Sequence, residues 1–205
     1  MIYNYTQISG VILIESERQS DPRGYFARTY CAEEFRDLGL CAQFAQCSTS
    51  FNATRGTLRG LHYQAAPAAE AKLVRCVQGA LFDVAVDIRP ESPTFGQWFG
   101  APLTAANGHM LYIPEGCAHG FQTLVDDTEI LYQISVPYEA DLSRGIRWDD
   151  PEIAIDWPQK EAILSERDQT LPRFAIAAPS FAETVPALVA SSRGEIPLTQ
   201  ARQYG

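Results

Sequence analysis

Three histidines and two methionines are all that 205 residues supply, and neither a long hydrophobic run nor a block of like charge occurs. Val11-Ile12-Leu13-Ile14 is far too short to span a bilayer, and Met1 to Ser16 lacks a basic start followed by a long apolar stretch, so export and membrane insertion are disfavoured. Sixteen Lys+Arg stand against 25 Asp+Glu, a formal net charge of -9. Without a basic block, sequence-independent binding to nucleic acid is disfavoured, and an anionic ligand would need a locally basic pocket. The five cysteines, Cys31, Cys41, Cys47, Cys76 and Cys117, are odd in number and contain no C-x-x-C pair. That argues against a disulfide framework or a zinc site and for reduced thiols in the cytoplasm. Cys47 and Cys76 are candidates to line a pocket, although a cysteine more often serves as a small buried apolar residue. There is no internal repeat, and the length suits one domain able to bury a full core.

What is present is strand. Leu81 to Arg89 puts Phe82, Val84, Val86 and Ile88 on one face and Asp83, Ala85, Asp87 and Arg89 on the other, the period of a strand with one apolar face. Leu73 to Val77, Met110 to Ile113 and Ile130 to Val136 read the same way. Turn signals such as Gln78-Gly79, Asn107-Gly108 and Pro114-Glu115-Gly116 separate them at the spacing of an all-β sandwich or barrel. Helix is expected only at Ala32 to Leu38, closed by Gly39, and for a turn or two within Glu161 to Arg167. Ala177 to Gly205, rich in Ala, Ser and Pro, reads as a surface tail.

Two half-motifs outline a pocket in that barrel: Gly56-x5-His62-x-Gln64 leading to Lys72-x6-Gly79, and Gly108-x5-Pro114-x-Gly116-x2-His119. A metal-binding barrel of this pattern would carry His-x-His and then Glu, whereas His62, Gln64 and Lys72 provide a base and an ammonium. Alternation places His62 and Gln64 on one face of their strand and Lys72, Val74 and Cys76 on one face of the next. If the two strands are neighbours, His62 and Lys72 converge at the barrel mouth. Histidine takes a proton near neutral pH without large retuning, and a lysine beside it can stabilise an oxygen that becomes negative. Together they suit proton abstraction next to a carbonyl. Taken singly, each is more often structural or solvated. His119 falls at the same mouth, but a protonated Lys72 standing where a carboxylate ligand would be repels a cation, so no metal is expected.

Arg23, in Asp21-Pro22-Arg23-Gly24, and Arg59, in Leu58-Arg59-Gly60-Leu61-His62, carry guanidinium groups suited to a diphosphate, or else serve as ordinary salt-bridge partners. Tyr132 lies on a strand, where it can hand a proton to the substrate face opposite His62. Tyr138, just past Pro137, can stack on a flat base. Asp168 can orient a histidine.

Taken in order along the chain, Asp21-Pro22-Arg23-Gly24, Leu58 to Gln64, Lys72-Leu73-Val74, Asp83-Val84 with Asp87-Ile88-Arg89, Ser92 to Gly96, Ile113 to Gly116, Ala118 to Phe121, Trp148 to Pro151 and Leu164-Ser165 with Asp168 resemble the dTDP-4-dehydrorhamnose 3,5-epimerase family, the RmlC type of cupin. The resemblance implies a jelly-roll β-barrel with short peripheral helices over residues 1–173, followed by a C-terminal tail at 174–205. It further implies a metal-free and cofactor-free homodimer acting on a nucleotide-diphosphate 4-keto-6-deoxy sugar. By the same resemblance His62 is the base supported by Asp168, Lys72 steadies the enolate at C4, and Tyr132 is the acid. Arg59, His119 and Arg167 contact the ligand, Arg23 and Phe26 come from the partner subunit, and Tyr138 stacks on the nucleobase. Cys47 is placed with the substrate-binding group. Arg28, Ser48 and Ser143 depart from the family's usual glutamate, asparagine and glutamate, which leaves thymidine recognition open. The rival readings are an epimerase of C3 or C5 alone, a metal-dependent cupin enzyme, and a non-catalytic sugar-nucleotide binding module.

Overall fold

Short alternating segments closed by glycine and proline turns leave the chain little choice but to pair strands, and the computed structural model, which describes residues 1–174, shows how they pair. In chain order the elements are β1 (Ile2–Tyr5), β2 (Ile12–Glu15), β3 (Arg18–Asp21), β4 (Gly24–Ala27), α1 (Ala32–Asp37), β5 (Gln46–Asn52), β6 (Leu58–Gln64) and β7 (Lys72–Gln78), then β8 (Ala80–Asp87), β9 (Trp98–Thr104), β10 (Met110–Ile113), β11 (Cys117–Thr123), β12 (Thr128–Ile134), β13 (Ser143–Gly145) and α2 (Glu166–Gln169). One sheet has the order β1-β2-β10-β7-β12-β5 and the other β13-β6-β11-β8-β9; β3 and β4 form a separate hairpin. Two antiparallel sheets with interleaved strand order are the jelly-roll form of the all-β class, in which consecutive strands cross from one sheet to the other.

That crossing corrects one expectation. β6 and β7 are successive in sequence but are not paired: β6 lies between β13 and β11, and β7 lies between β10 and β12 in the opposite sheet. A loop of seven residues between them steps across the mouth of the sandwich.

The inner layer is apolar. Ile8, Val11, Val74, Cys76, Leu81, Ala85, Leu103, Leu111, Ile113, Cys117, Phe121 and Ile130 pack between the sheets. Each large aliphatic or aromatic side chain so buried contributes about 1.5–3 kcal/mol from removal of its surface from water. β8 departs from the simple one-sided reading. Phe82, Val84, Val86 and Ile88 are indeed on one face, but that face packs outward under Ile146, Ile153, Trp157 and Phe174. The other face, with Leu81, Asp83 and Ala85, points between the sheets, and Asp83 and Asp87 are both fully buried. An aspartate on this strand is therefore an interior group that must find a partner.

A third cluster covers the outside of the six-stranded sheet. Phe35 of α1 is fully buried and meets Tyr3, Tyr30, Phe44 and Tyr112 edge-on. This is where the first expected helix earns its place, and Gly39, at φ +70, closes it. The second helix forms later than expected, at Glu166, because Ser165 caps it by accepting the Asp168 N–H at 3.1 Å. Phe174 is buried against Phe95 and donates its N–H to Asp150, so the body of the fold reaches at least this residue. The expected tail from Ala177 onward lies outside the described residues.

Candidate active site

His62 reaches the mouth of the sandwich because of a local irregularity in β6. His62 pairs with His119 across β6 and β11, but the register then shifts so that Phe121 faces Arg59. Gly60 sits at the shift with φ +135. A Cβ there would lie 2.6 Å from the Gly120 Cα and 3.0 Å from the His119 carbonyl, so only glycine lets the two strands approach closely enough to set the histidines side by side.

Around them is a cavity of about 270 Å³, lined by His62, Gln64, Glu70, Lys72, His119 and Tyr132 together with Arg59, Tyr138, Ser48, Ser143 and Arg167. His62, Gln64 and His119 stand on the five-stranded sheet; Lys72 and Tyr132 stand on the facing sheet. The imidazole and the amine thus come from opposite sheets rather than neighbouring strands, and still open into one cavity.

His62 Nε2 lies 2.6 Å from Asp168 Oδ1. Asp168 is buried, and its second oxygen accepts the Gly60 N–H at 3.4 Å. Burial works to raise this carboxyl, but the His62 hydrogen bond and charge, with Gly60 and Ser165, hold it below the usual carboxylate range. An ionised Asp168 accepts only, so Nε2 carries the proton of this bond and Nδ1 is the nitrogen that Asp168 leaves free.

Lys72 Nζ is 2.8 Å from Glu70 Oε1, with both side chains nearly enclosed. Burial pushes the Tyr132 phenol well above its ordinary value, Asp83 adds to the shift, and Arg59 only partly opposes it. The phenol therefore stays protonated at neutral pH. His119 Nε2 lies 2.8 Å from Asp83 Oδ1, and its ring is edge-on to Tyr132 at 6.0 Å. Arg59 donates Nε to Asn52 Oδ1 at 2.8 Å, which leaves its terminal nitrogens for an anion. Arg167 donates to the Ser143 hydroxyl at 2.8 Å. Among the described residues, no group of three or more His, Cys, Asp and Glu side chains is arranged to hold a metal ion.

Of the residues picked from sequence, His62, Lys72, Tyr132, Asp168, Arg59, His119, Tyr138 and Arg167 come together here. Three do not. Arg23 is exposed at the tip of the β3–β4 hairpin and ion-paired with Asp21 at 2.6 Å, and Phe26 is exposed on the same hairpin. Cys47 is exposed and pairs with Gln133. It is Ser48, opposite Tyr132, that faces the cavity, and adjacent strand residues point to opposite faces. Arg28 pairs with Glu34 at 3.3 Å, while Ser48 and Ser143 both line the cavity. Sequence reading missed Glu70, Asp83 and Asn52. The signal for Glu70 was its place two residues before Lys72, and for Asp83 its sharing a strand face with Leu81 and Ala85.

The profile of the dTDP-4-dehydrorhamnose 3,5-epimerase family matches residues 5–175. A dTDP-4-dehydrorhamnose 3,5-epimerase of Sinorhizobium fredii is 46% identical over 177 residues, covering 84% of this chain and 89% of its own. A dTDP-4-dehydrorhamnose 3-epimerase of Streptomyces niveus is 40% identical over 163 residues, covering 79% of this chain and 78% of its own. The crystal structure of the dTDP-4-dehydrorhamnose 3,5-epimerase from Bacillus anthracis, with TDP and PPi bound, superimposes with a TM-score of 0.81 at 42% identity, over 84% of this chain and 98% of that one. With the fold, the paired histidine and carboxylate, and these likenesses in agreement, the chain belongs to the dTDP-4-dehydrorhamnose 3,5-epimerase family.

Proposed function

We propose that His62, Lys72 and Tyr132 invert the carbons beside the C4 ketone of a dTDP-linked 4-keto-6-deoxy sugar. The chain is an isomerase, a carbohydrate epimerase. The observation that carries the assignment of roles is the placement of His62 and Tyr132 on facing sheets of one cavity, because inversion requires a base on one face of the sugar ring and an acid on the other.

The His62 nitrogen not bonded to Asp168 takes the C–H proton, and the C–H electron pair moves onto the C4 oxygen as an enolate. Lys72 stabilises that oxyanion. The enolate collapses to the ketone as its carbon takes the Tyr132 phenolic proton on the opposite face. Solvent resets the pair by removing the proton from His62 and returning one to Tyr132. Asp168 holds His62 in the productive tautomer and stabilises its protonated form, and Glu70 keeps the Lys72 ammonium in place. Arg59 and Arg167 receive the diphosphate, and Tyr138 stacks on the base. The exposed β3–β4 hairpin, with Tyr25 and Phe26 uncovered, supports a homodimer in which Arg23 and Phe26 complete the partner's site. The five free thiols support a cytoplasmic setting.

Proton NMR in heavy water tests this directly. With dTDP-4-keto-6-deoxyglucose, both the C3 and C5 proton signals should be lost. Loss at one carbon only would establish a mono-epimerase, the activity named for the Streptomyces niveus relative. Loss at neither carbon would overturn the reaction. Parallel GDP- and CDP-linked sugars report whether Ser48 and Ser143 have changed the nucleotide preference.

A further inference from the structure

Gln64 was singled out by its spacing from His62, and the chemistry above leaves it without a task. It lines the cavity beside His62 and is 3% exposed, yet its amide is already committed to protein. Nε2 donates to the Ala68 carbonyl at 2.7 Å and to the Pro137 carbonyl at 3.1 Å, and Oε1 accepts the Glu139 N–H at 2.8 Å. Both donor hydrogens of a glutamine are thereby used, and only one acceptor lone pair is left. Such a side chain is poorly equipped to recognise a ligand.

Its partners show what it can do instead. Pro137 and Glu139 flank Tyr138 in the loop that joins β12 to β13. Tyr138 itself makes a third anchor through its backbone: its N–H donates to Gln46 Oε1 at 2.9 Å. Tyr138 as a residue is 59% exposed, so little packing holds it, and the loop's backbone hydrogen bonds supply its anchorage. Ala68, in the loop between β6 and β7, takes the other donor hydrogen, and β6 itself carries Gln64.

We infer that Gln64, assisted by Gln46, is a positioning residue that holds Tyr138 as a preformed platform for the nucleobase. The inference rests on the proposed stacking of the base on Tyr138. An aromatic platform binds best when its orientation is set before the ligand arrives, because ordering a loop on binding subtracts from affinity. Gln64→Met keeps the length of the side chain and removes the clamp. The expected loss is about tenfold in affinity for dTDP, the equivalent of one hydrogen bond's net contribution.

Calorimetric titration of dTDP and of inorganic pyrophosphate into wild type, Gln64→Met, Tyr138→Ala and the double variant separates the readings. The inference predicts weaker dTDP binding by Gln64→Met with pyrophosphate affinity unaltered, and no further loss when Gln64→Met is added to Tyr138→Ala. Additive losses, or equal losses for dTDP and pyrophosphate, would overturn it. If Tyr138→Ala binds dTDP as well as wild type, the stacking role falls and takes the inference with it. If Tyr138→Ala weakens dTDP binding while Gln64→Met does not, only the clamp falls. Gln46→Ala, on an exposed edge strand, gives the same readout should Gln64→Met fail to fold: weaker dTDP binding supports the clamp, and unchanged binding removes it.

Discussion

Replacing Asp168 by asparagine changes one atom in the site and should cost about a thousandfold in turnover. The carboxylate accepts a 2.6 Å hydrogen bond from His62 Nε2 and, through its other oxygen, the Gly60 N–H. An asparagine must choose. If its amide oxygen serves Gly60, its NH2 faces Nε2, and the histidine has to carry its proton on Nδ1, the nitrogen that should act as base. If the oxygen serves Nε2, the NH2 opposes the Gly60 N–H. Either arrangement also forfeits the ionic part of a charge-assisted bond to an imidazolium, worth about 1.5–3 kcal/mol. With the tautomer penalty added, the barrier rises by about 4 kcal/mol, or three decades in rate. Deuterium incorporation at C3 and C5, followed by NMR under single-turnover conditions, reads the abstraction step itself. Calorimetric titration with dTDP should show wild-type affinity, since no ligand contact is changed. A folded Asp168→Asn protein that exchanges protons within tenfold of wild type would refute the claim that this carboxylate sets the base.

Three other outcomes are expected. Lys72→Ala removes the oxyanion partner and should lower kcat by roughly a hundred- to a thousandfold, measured by steady-state turnover, and normal turnover would free Lys72 from its role. Tyr132→Phe should slow product formation more than it slows exchange of substrate protons with solvent; equal loss of both, followed in heavy water, would argue against an acid. Asp87 is buried but accepts from Arg89, Ser92 and Thr94; burial opposes its ionisation, and those bonds prevail to bring it to about 2 from an ordinary 3.8. Because its folded pKa is lowered, its stabilisation of about 2 kcal/mol is complete above pH 4 or so and drains away as pH falls toward about 2. The gap in Tm between wild type and Asp87→Asn should therefore be several degrees near pH 7 and should narrow through that acid window, and a gap independent of pH would contradict it.

How much of this could be read from residues alone follows from the range over which each feature is decided. Face assignment is local, so alternation correctly put His62 with Gln64 and Lys72 with Val74 and Cys76. Strand partnership is not local. β6 and β7 read as neighbours because they adjoin in sequence, whereas the jelly roll sends them to opposite sheets. Register is not local either: Cys47 and Ser48 are equally plausible wall residues until β5 is aligned on β12, when Ser48 takes the place opposite Tyr132. Asp83 was hidden by a sound rule applied to the wrong strand. An aspartate alternating with apolar residues usually faces water, but β8 is covered on both sides. Asp168 was recognisable as a candidate, yet its meeting with His62, 106 positions away in sequence, is a product of tertiary structure.

The division between sheets explains why this architecture suits inversion. A single sheet presents its side chains to one face of a flat-lying sugar, so a base and an acid on neighbouring strands would both approach the same side. Here His62 stands on β6 of one sheet and Tyr132 on β12 of the other, with Lys72 on β7, the neighbour of β12, the arrangement that the proposed inversion calls for. The layer between the two sheets is closely packed apolar core, so the separation of the proposed base and acid is set by the sandwich rather than by loops. Each member of the pair then has its own support: Asp168 on His62, and on the other wall the burial that, with Asp83, keeps the Tyr132 phenol protonated.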